Sequence, residues 1–261
     1  MGEYVQVGDV KTWYEVSGPD DGDPLVLLHG GLSDSTGWTA QQPAYSERYR
    51  VYMPDRRGHG RTPDVEGPLT YGVMADDTVR FLEQVVGGPA HLVGWSDGGI
   101  VALLVSMRRP DLVRRQVLVG TNYHHDGLMD AADLGDDPDA PHLGIFKAMF
   151  QGASPDGPDH WPVFFAKTAR MWREEPTLAT DDVAKVTVPT LVFVGDDEPI
   201  HLEHTMALYD AIPDAQLGIV PGASHMLLLE KPQLCNELVL AFLAETAPPS
   251  TIFPVRRAEP G

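Results

Sequence analysis

Ser96 lies in Gly94-Trp95-Ser96-Asp97-Gly98-Gly99, with a glycine two residues away on each side. A serine hydroxyl is a poor nucleophile until a rigid turn presents it beside a base. A tight strand-to-helix turn does this by straining the backbone at the serine. The flanking glycines remove Cβ atoms that would clash. The helix that begins there offers free N–H groups and a dipole that favour negative charge beside the serine. The flanks suit such a turn. Ala90 to Val93 reads as a buried strand, and Ile100 to Val105 as a helix that stops before Pro110. Gly98, Gly99 and Ala102 give that helix a small-residue face for close approach to a sheet.

The proton leaving Ser96 needs an acceptor with a pKa near neutrality, which is work for an imidazole. Ten histidines are available. His29 and His59 sit in turns and His91 in the strand before Ser96, so structural hydrogen bonds are expected of them. His124, His125, His142 and His160 fall in a segment expected at the surface. His225 follows the final apolar run and a Pro-Gly-Ala-Ser stretch, and it is the candidate base. A carboxylate must then orient the imidazole and stabilise its cation. Asp196, Asp197 and Glu198 all follow the apolar run that ends at Val194.

The elements that would carry these residues alternate along the chain. Tyr4 to Val7 and Lys11 to Val16 flank Gly8-Asp9, the pattern of an antiparallel hairpin. Apolar runs at 25–28, 50–53, 90–93, 116–119, 191–194 and 216–220 have the continuous character of strands buried on both faces. Helical patterns at 72–86, 100–109, 201–211 and 233–246 fall between most of them. Such alternation predicts a mostly parallel sheet covered by helices on both sides.

One interval breaks the pattern. Between Val119 and Leu191 no strand is legible. An acidic, loop-like piece (Asp126 to Pro141) precedes helical segments rich in Phe, Trp and Met. The expected organisation is a core at 1–120 and 189–247, a helical lid at 121–188, and an extended tail at 248–261. Most lid aromatics are expected to form a small core of their own, with some roofing a pocket.

Composition narrows the chemistry. The 261 residues suit one large α/β domain. A formal charge of −19 repels phosphates and disfavours nucleic acid or an anionic membrane as partner. The lone Cys235 excludes an intramolecular disulfide. No signal peptide or membrane-spanning run is visible, so a soluble cytoplasmic protein is expected. No Cys/His cluster at ligand spacing is seen, and neither metal nor cofactor is expected.

Taken together, the motifs resemble the α/β-hydrolase superfamily, serine hydrolase branch, over nearly the whole chain. His29-Gly30-Gly31 is similar to its oxyanion motif and Asp55-Arg56-Arg57-Gly58-His59-Gly60 to its D-x-R-G-x-G turn. Gly94 to Gly99 is similar to its nucleophile elbow, Gly195 to Ile200 to its acid loop, and Gly222 to His225 to its histidine loop. The wording Gly-Trp-Ser-Asp-Gly-Gly resembles most the biphenyl-hydrolase-like ester hydrolases. The resemblance implies an eight-stranded, mostly parallel sheet with helices on both faces and a small helical lid after the sixth strand.

It also implies roles. Ser96 is the nucleophile and His225 the base. Glu198 occupies the place where the family usually carries Asp, with Asp197 as the alternative if the loop is shifted by one. The oxyanion hole would use the N–H groups of Gly31 and Asp97, with Leu32 the alternative to Gly31. Asp97 is also expected to contact substrate, its carboxylate attracting a cation such as the α-amine of an amino-acid ester. Trp38, Phe146 and Trp161 are further expected substrate contacts. The expected activity is hydrolysis of a small carboxylic ester or lactone through an acyl-enzyme. The rivals are carbon–carbon bond hydrolysis on the same triad and a receptor-like protein with little turnover.

Overall fold

Gly8, at φ +58°, turns the chain between β1 (Gly2–Val7) and β2 (Val10–Ser17), which pair antiparallel. The computed structural model describes residues 2–246 and 251–255. β2 also pairs antiparallel with β4 (Tyr49–Pro54). β3 (Asp23–Leu28), β4, β5 (Ala90–Trp95), β6 (Val113–Val119), β7 (Thr190–Asp197) and β8 (Ala215–Ser224) continue in parallel. The order across the eight-stranded sheet is β1-β2-β4-β3-β5-β6-β7-β8. The order reverses direction between β3 and β5, so β5 ends with crossovers on either side of it. A crevice opens at that switch point.

The central strands read as unbroken apolar runs because both their faces are covered. Leu25 and Leu27 enter one core cluster, and Val26 and Leu28 enter the other. Val117 and Val119 likewise separate from Leu118, and Leu191 and Phe193 from Val192. One face carries α2 (Tyr71–Phe81), α3 (Asp97–Arg108) and α7 (Leu202–Ala211). The other carries α1 (Gln42–Tyr45), α8 (Leu227–Glu230) and α9 (Pro232–Leu243).

Between β6 and β7 the chain adds no strand to the sheet. It forms α4 (Gly144–Ala153), α5 (Trp161–Glu174) and α6 (Thr180–Val183), preceded by short 3-10 turns. Two isolated bridges, His124 with Thr177 and Leu128 with Ile200, tie this segment to itself and to the end of β7. Among the described residues, no helix is long and apolar enough to cross a membrane. Of the expected tail, Thr251–Val255 is exposed and without helix or strand, and the remainder lies outside the described residues.

β7 and β8 run farther than the apolar pattern. Asp196 and Asp197 belong to β7, and Pro221 to Ser224 to β8. β8 is the outermost strand, so Pro221 costs no ladder hydrogen bond on its open side. Asp196 Oδ1 accepts the Gly222 N–H at 2.7 Å and the Ala223 N–H at 3.2 Å, closing the paired ends.

Candidate active site

Ser96 sits between β5 and α3 with φ 55° and ψ −119°. A non-glycine residue there carries strain of roughly 1–3 kcal/mol. Crowding holds it in place. A Cβ on Gly94 would lie 2.2 Å from the Gly98 carbonyl oxygen, and one on Gly98 would lie 1.9 Å from the Leu28 carbonyl oxygen. A Cβ on Gly99 would strike Thr121 Oγ1 at 1.9 Å. The Ser96 N–H donates to the Val119 carbonyl at 2.7 Å, which fixes the turn against β6.

Glu198 follows β7 directly, and His225 follows β8. Parallel pairing of these strands brings the two together, and His225 Nδ1 hydrogen-bonds Glu198 Oε1. Asp197, by contrast, is exposed and pairs through its backbone with Ser224. Gly120 (φ +53°) makes the room, since a Cβ there would lie 2.8 Å from the imidazole and 3.2 Å from Glu198 Oε1. The Trp95 indole N–H donates to the His225 carbonyl at 3.0 Å, so the residue before Ser96 grips the backbone of the imidazole. Ser96 and His225 line one cavity of about 270 Å³, open to solvent and mostly apolar.

On the other side of Ser96 lies the loop that follows β3. His29 is fully buried; its Nδ1 bonds the Gly30 carbonyl at 2.8 Å and its Nε2 accepts the Arg56 N–H at 3.0 Å. Burial and the Arg56 charge hold its pKa well below the usual histidine value, so it stays neutral. The Arg56 guanidinium donates to the Gly30 carbonyl at 2.9 Å. These bonds fix Gly31 and Leu32 beside Ser96. Leu32 is the second non-glycine residue at positive φ, 54°, and both it and Gly31 line the cavity. Asp97 is the first residue of α3, so its N–H has no partner within the helix.

The Asp97 carboxylate differs from expectation. It lines the cavity but is already engaged. It accepts the Tyr71 hydroxyl at 2.8 Å and the Trp172 indole N–H at 3.0 Å to each oxygen. The buried Arg56 cation interacts with it as well. Burial and the Asp97 charge push the Tyr71 phenol far up, so it remains a donor. A substrate ammonium would therefore have to displace existing donors, which counts against the expected cation contact.

Phe146 lines the cavity; Trp38 and Trp161 do not. Trp38 ends a 3-10 turn, Ser35–Trp38, that directs its ring beneath the sheet, edge-on to Trp95 and fully buried. Trp161 opens α5 and packs against Phe150, Phe164 and Phe165, its indole bonded to the Pro138 carbonyl at 2.8 Å; these aromatics join the core on one face of the sheet instead of forming the separate core expected. Sequence reasoning missed Tyr71, Asn122 and Glu175 as lining residues, and it counted Trp172 among the segment's aromatics without singling it out. Trp172 is three residues beyond the buried Ala169 on α5, a spacing that placed it on the inward face.

Of the other histidines, His59 has the expected structural hydrogen bond and His91 does not, its Nδ1 being buried without a hydrogen-bond partner among the described residues. His59, buried, bonds the Arg57 carbonyl and is held down to about 3 by desolvation; His91, beside Tyr49, is held to about 4 by the same cause. His160 bonds Asp64 at 2.9 Å. Asp55 of the D-x-R-G-x-G turn accepts the Ser35 and Arg61 N–H groups at 2.7 and 2.8 Å and so clamps two loops together. Among the described residues, one group brings metal-type ligand atoms within 4.8 Å of one another: His124, His125 and Asp126, a half-exposed turn. None of the three lines the cavity at Ser96, and His124 Nδ1 already accepts the Asp126 N–H at 3.2 Å.

The chain matches the alpha/beta hydrolase family over residues 25–238. It is 30% identical to a putative carbamate hydrolase, RutD, of Variovorax paradoxus, with 90% of this chain and 97% of that protein covered. It is 29% identical to carboxylesterase YbfK of Bacillus subtilis, over 92% of this chain and 86% of that protein. The crystal structure of that carboxylesterase, CesB (YbfK), superposes with a TM-score of 0.75 at 27% identity, covering 94% and 91% of the two chains. A meta-cleavage product hydrolase of Pseudomonas fluorescens, CumD, superposes with a TM-score of 0.80 at 21% identity, covering 95% and 99%, and shows the shared fold. With its sheet order, its strained serine and its strand-end carboxylate–imidazole pair, the chain belongs to the alpha/beta hydrolase family.

Proposed function

We propose that this protein is a cofactor-independent serine hydrolase that cleaves small, uncharged carboxylic esters or lactones. Ser96 attacks the carbonyl carbon as His225 takes its proton. The Gly31 and Asp97 N–H groups receive the developing oxyanion, each worth about 3 kcal/mol of barrier. His225 then protonates the leaving alcohol, and water repeats the sequence to release the acid. Glu198 holds Nδ1 protonated so that Nε2 faces the reaction, and it stabilises the imidazolium.

The observation that carries this reading is the Glu198–His225 hydrogen bond opening on the same cavity as the strained Ser96. The carboxylesterases among the relatives support an ester as the scissile group. The lining supports a neutral substrate. Among the described residues it contains no Lys or Arg, while Asp97 and Glu175 are acidic. An anionic substrate, such as the dienoic acid that one carbon–carbon hydrolase among the relatives is named for, would find no Lys or Arg counter-ion there.

The test is a screen of short and long acyl esters, lactones and amino-acid esters with wild type and Ser96→Ala. Wild type is expected to turn over at least one neutral class and the variant to lose nearly all of it. Equal rates would remove Ser96 from the mechanism. A stoichiometric burst without turnover would instead favour a receptor.

A further inference from the structure

A second cavity of about 230 Å³ lies in the segment between β6 and β7, and it shares Leu128, Ala132, Leu134 and Trp172 with the cavity at Ser96. Trp172 is the bulkiest part of this common wall. Its indole is held by both oxygens of the Asp97 carboxylate at 3.0 Å, and Asp97 is itself held by Tyr71. Its ring also covers Gly31, where a Cβ would lie 2.5 Å from it. A ring bonded to a buried carboxylate does not swing freely, because breaking that bond leaves a charge poorly satisfied.

Sheet order identifies which part of the substrate this wall stops. β3, which leads to Gly31, lies on one side of β5; β6, which leads to Gly120 and the imidazole, lies on the other. The leaving-group oxygen must face the imidazole to collect its proton. The carbonyl oxygen takes the Gly31 and Asp97 N–H groups, so the acyl chain, the remaining substituent, is left the wall built by the segment between β6 and β7, where Trp172 stands.

We propose that Trp172, pinned by Asp97, is the specificity-determining partition that limits acyl-chain length, and that the chamber behind it is a latent subsite for longer aliphatic acyl groups. This rests on the serine hydrolase reading above. Leu128, Met129, Leu134 and Ala169 give the chamber apolar walls suited to methylenes, while His125, Asp130, Asp133 and Arg173 make the rest of its lining polar.

The experiment compares nitrophenyl acetate with nitrophenyl decanoate, which share a leaving group, in wild type, Trp172→Ala and Trp172→Ala/Ala169→Leu. Trp172→Ala is expected to raise the decanoate-to-acetate ratio of kcat/KM by about tenfold or more, the scale of a few buried methylenes. Ala169→Leu is expected to refill the chamber and reverse most of that gain. An unchanged ratio in a folded Trp172→Ala overturns the proposal. A shift seen only when the alcohol chain is lengthened overturns the acyl assignment. If Trp172→Ala does not fold, Trp172→Leu and Trp172→Phe decide on the same ratio, with a rise in the first supporting the partition and none in either overturning it. Ser96→Ala run alongside separates the two readings, since activity surviving there fails the nucleophile rather than the wall.

Discussion

At the scale of single residues, Glu198 and Gly120 act on the same imidazole by opposite means, one by attraction and one by giving way. Replacing Glu198 with Gln keeps the shape but no longer enforces the Nδ1–H tautomer. It is expected to lower kcat by about three to four orders of magnitude with little change in KM. Steady-state kinetics on a nitrophenyl ester check this, and a loss under tenfold would take Glu198 out of its orienting role. Gly120→Ala is expected to push the imidazole aside, because the new methyl would lie 2.8 Å from it. We expect kcat to fall about a hundredfold, the cost of roughly 1 Å misplacement. The positive φ adds about 1–2 kcal/mol of destabilisation. Thermal melts beside the kinetics separate the two effects, and full activity in Gly120→Ala would refute the contact. Ser96 and His225, the candidate nucleophile and base, stood out by residue type and neighbours, and both line one cavity. Gly120 was not, because its service is to a side chain distant in sequence and no local pattern records that.

At the scale of elements, three glycines let α3 approach the sheet closely enough to fix the serine. Gly98 has the least freedom, because its would-be Cβ comes closest to backbone, 1.9 Å from the Leu28 carbonyl oxygen against 2.2 Å from backbone at Gly94, whereas at Gly99 it meets the Thr121 side chain. Gly98→Ala is therefore expected to cost about 2–4 kcal/mol, read from denaturant unfolding, at the upper end of single-residue effects. A cost below about 0.5 kcal/mol would mean that the helix can slide away from β3. The strands were readable because β3, β6 and β7 bury both faces and so carry unbroken apolar runs. Their ends were not. Asp196, Asp197 and Pro221 look like loop residues, yet side-chain capping by Asp196 and an open sheet edge let pairing continue through them. Trp38 failed as a substrate contact for a related reason. A tryptophan a few residues past the loop that follows β3 can turn above or below the sheet, and only the 3-10 turn decides which.

At the scale of the whole molecule, buried neutral histidines make stability depend on pH. His59 and His91 have folded-state values of about 3 and about 4, against 6.5 for a free imidazole. As pH falls below 6.5 the unfolded chain binds protons that the folded chain refuses. Their contribution is thus complete above pH 6.5 and is lost as pH drops toward 4, at up to about 1.4 kcal/mol per pH unit for each ring. Melting temperatures should fall between pH 7 and pH 5, and His91→Gln should fall less steeply than wild type. Parallel slopes would show that His91 does not contribute. The net charge of −19 sets a second property on this scale, since it repels anionic substrates at long range. For a succinate half-ester, kcat/KM should rise with ionic strength from 10 to about 200 mM as screening shortens its reach, whereas a neutral ester should show no such rise.

The indole of Trp95 has a consequence for how the enzyme would fail on heating. Because the residue next to Ser96 also clasps the main chain of His225, fraying at the end of the outermost strand cannot separate the two without first breaking that clasp. Inactivation should therefore coincide with global melting instead of preceding it, and a Trp95→Phe enzyme should lose turnover several degrees before it unfolds.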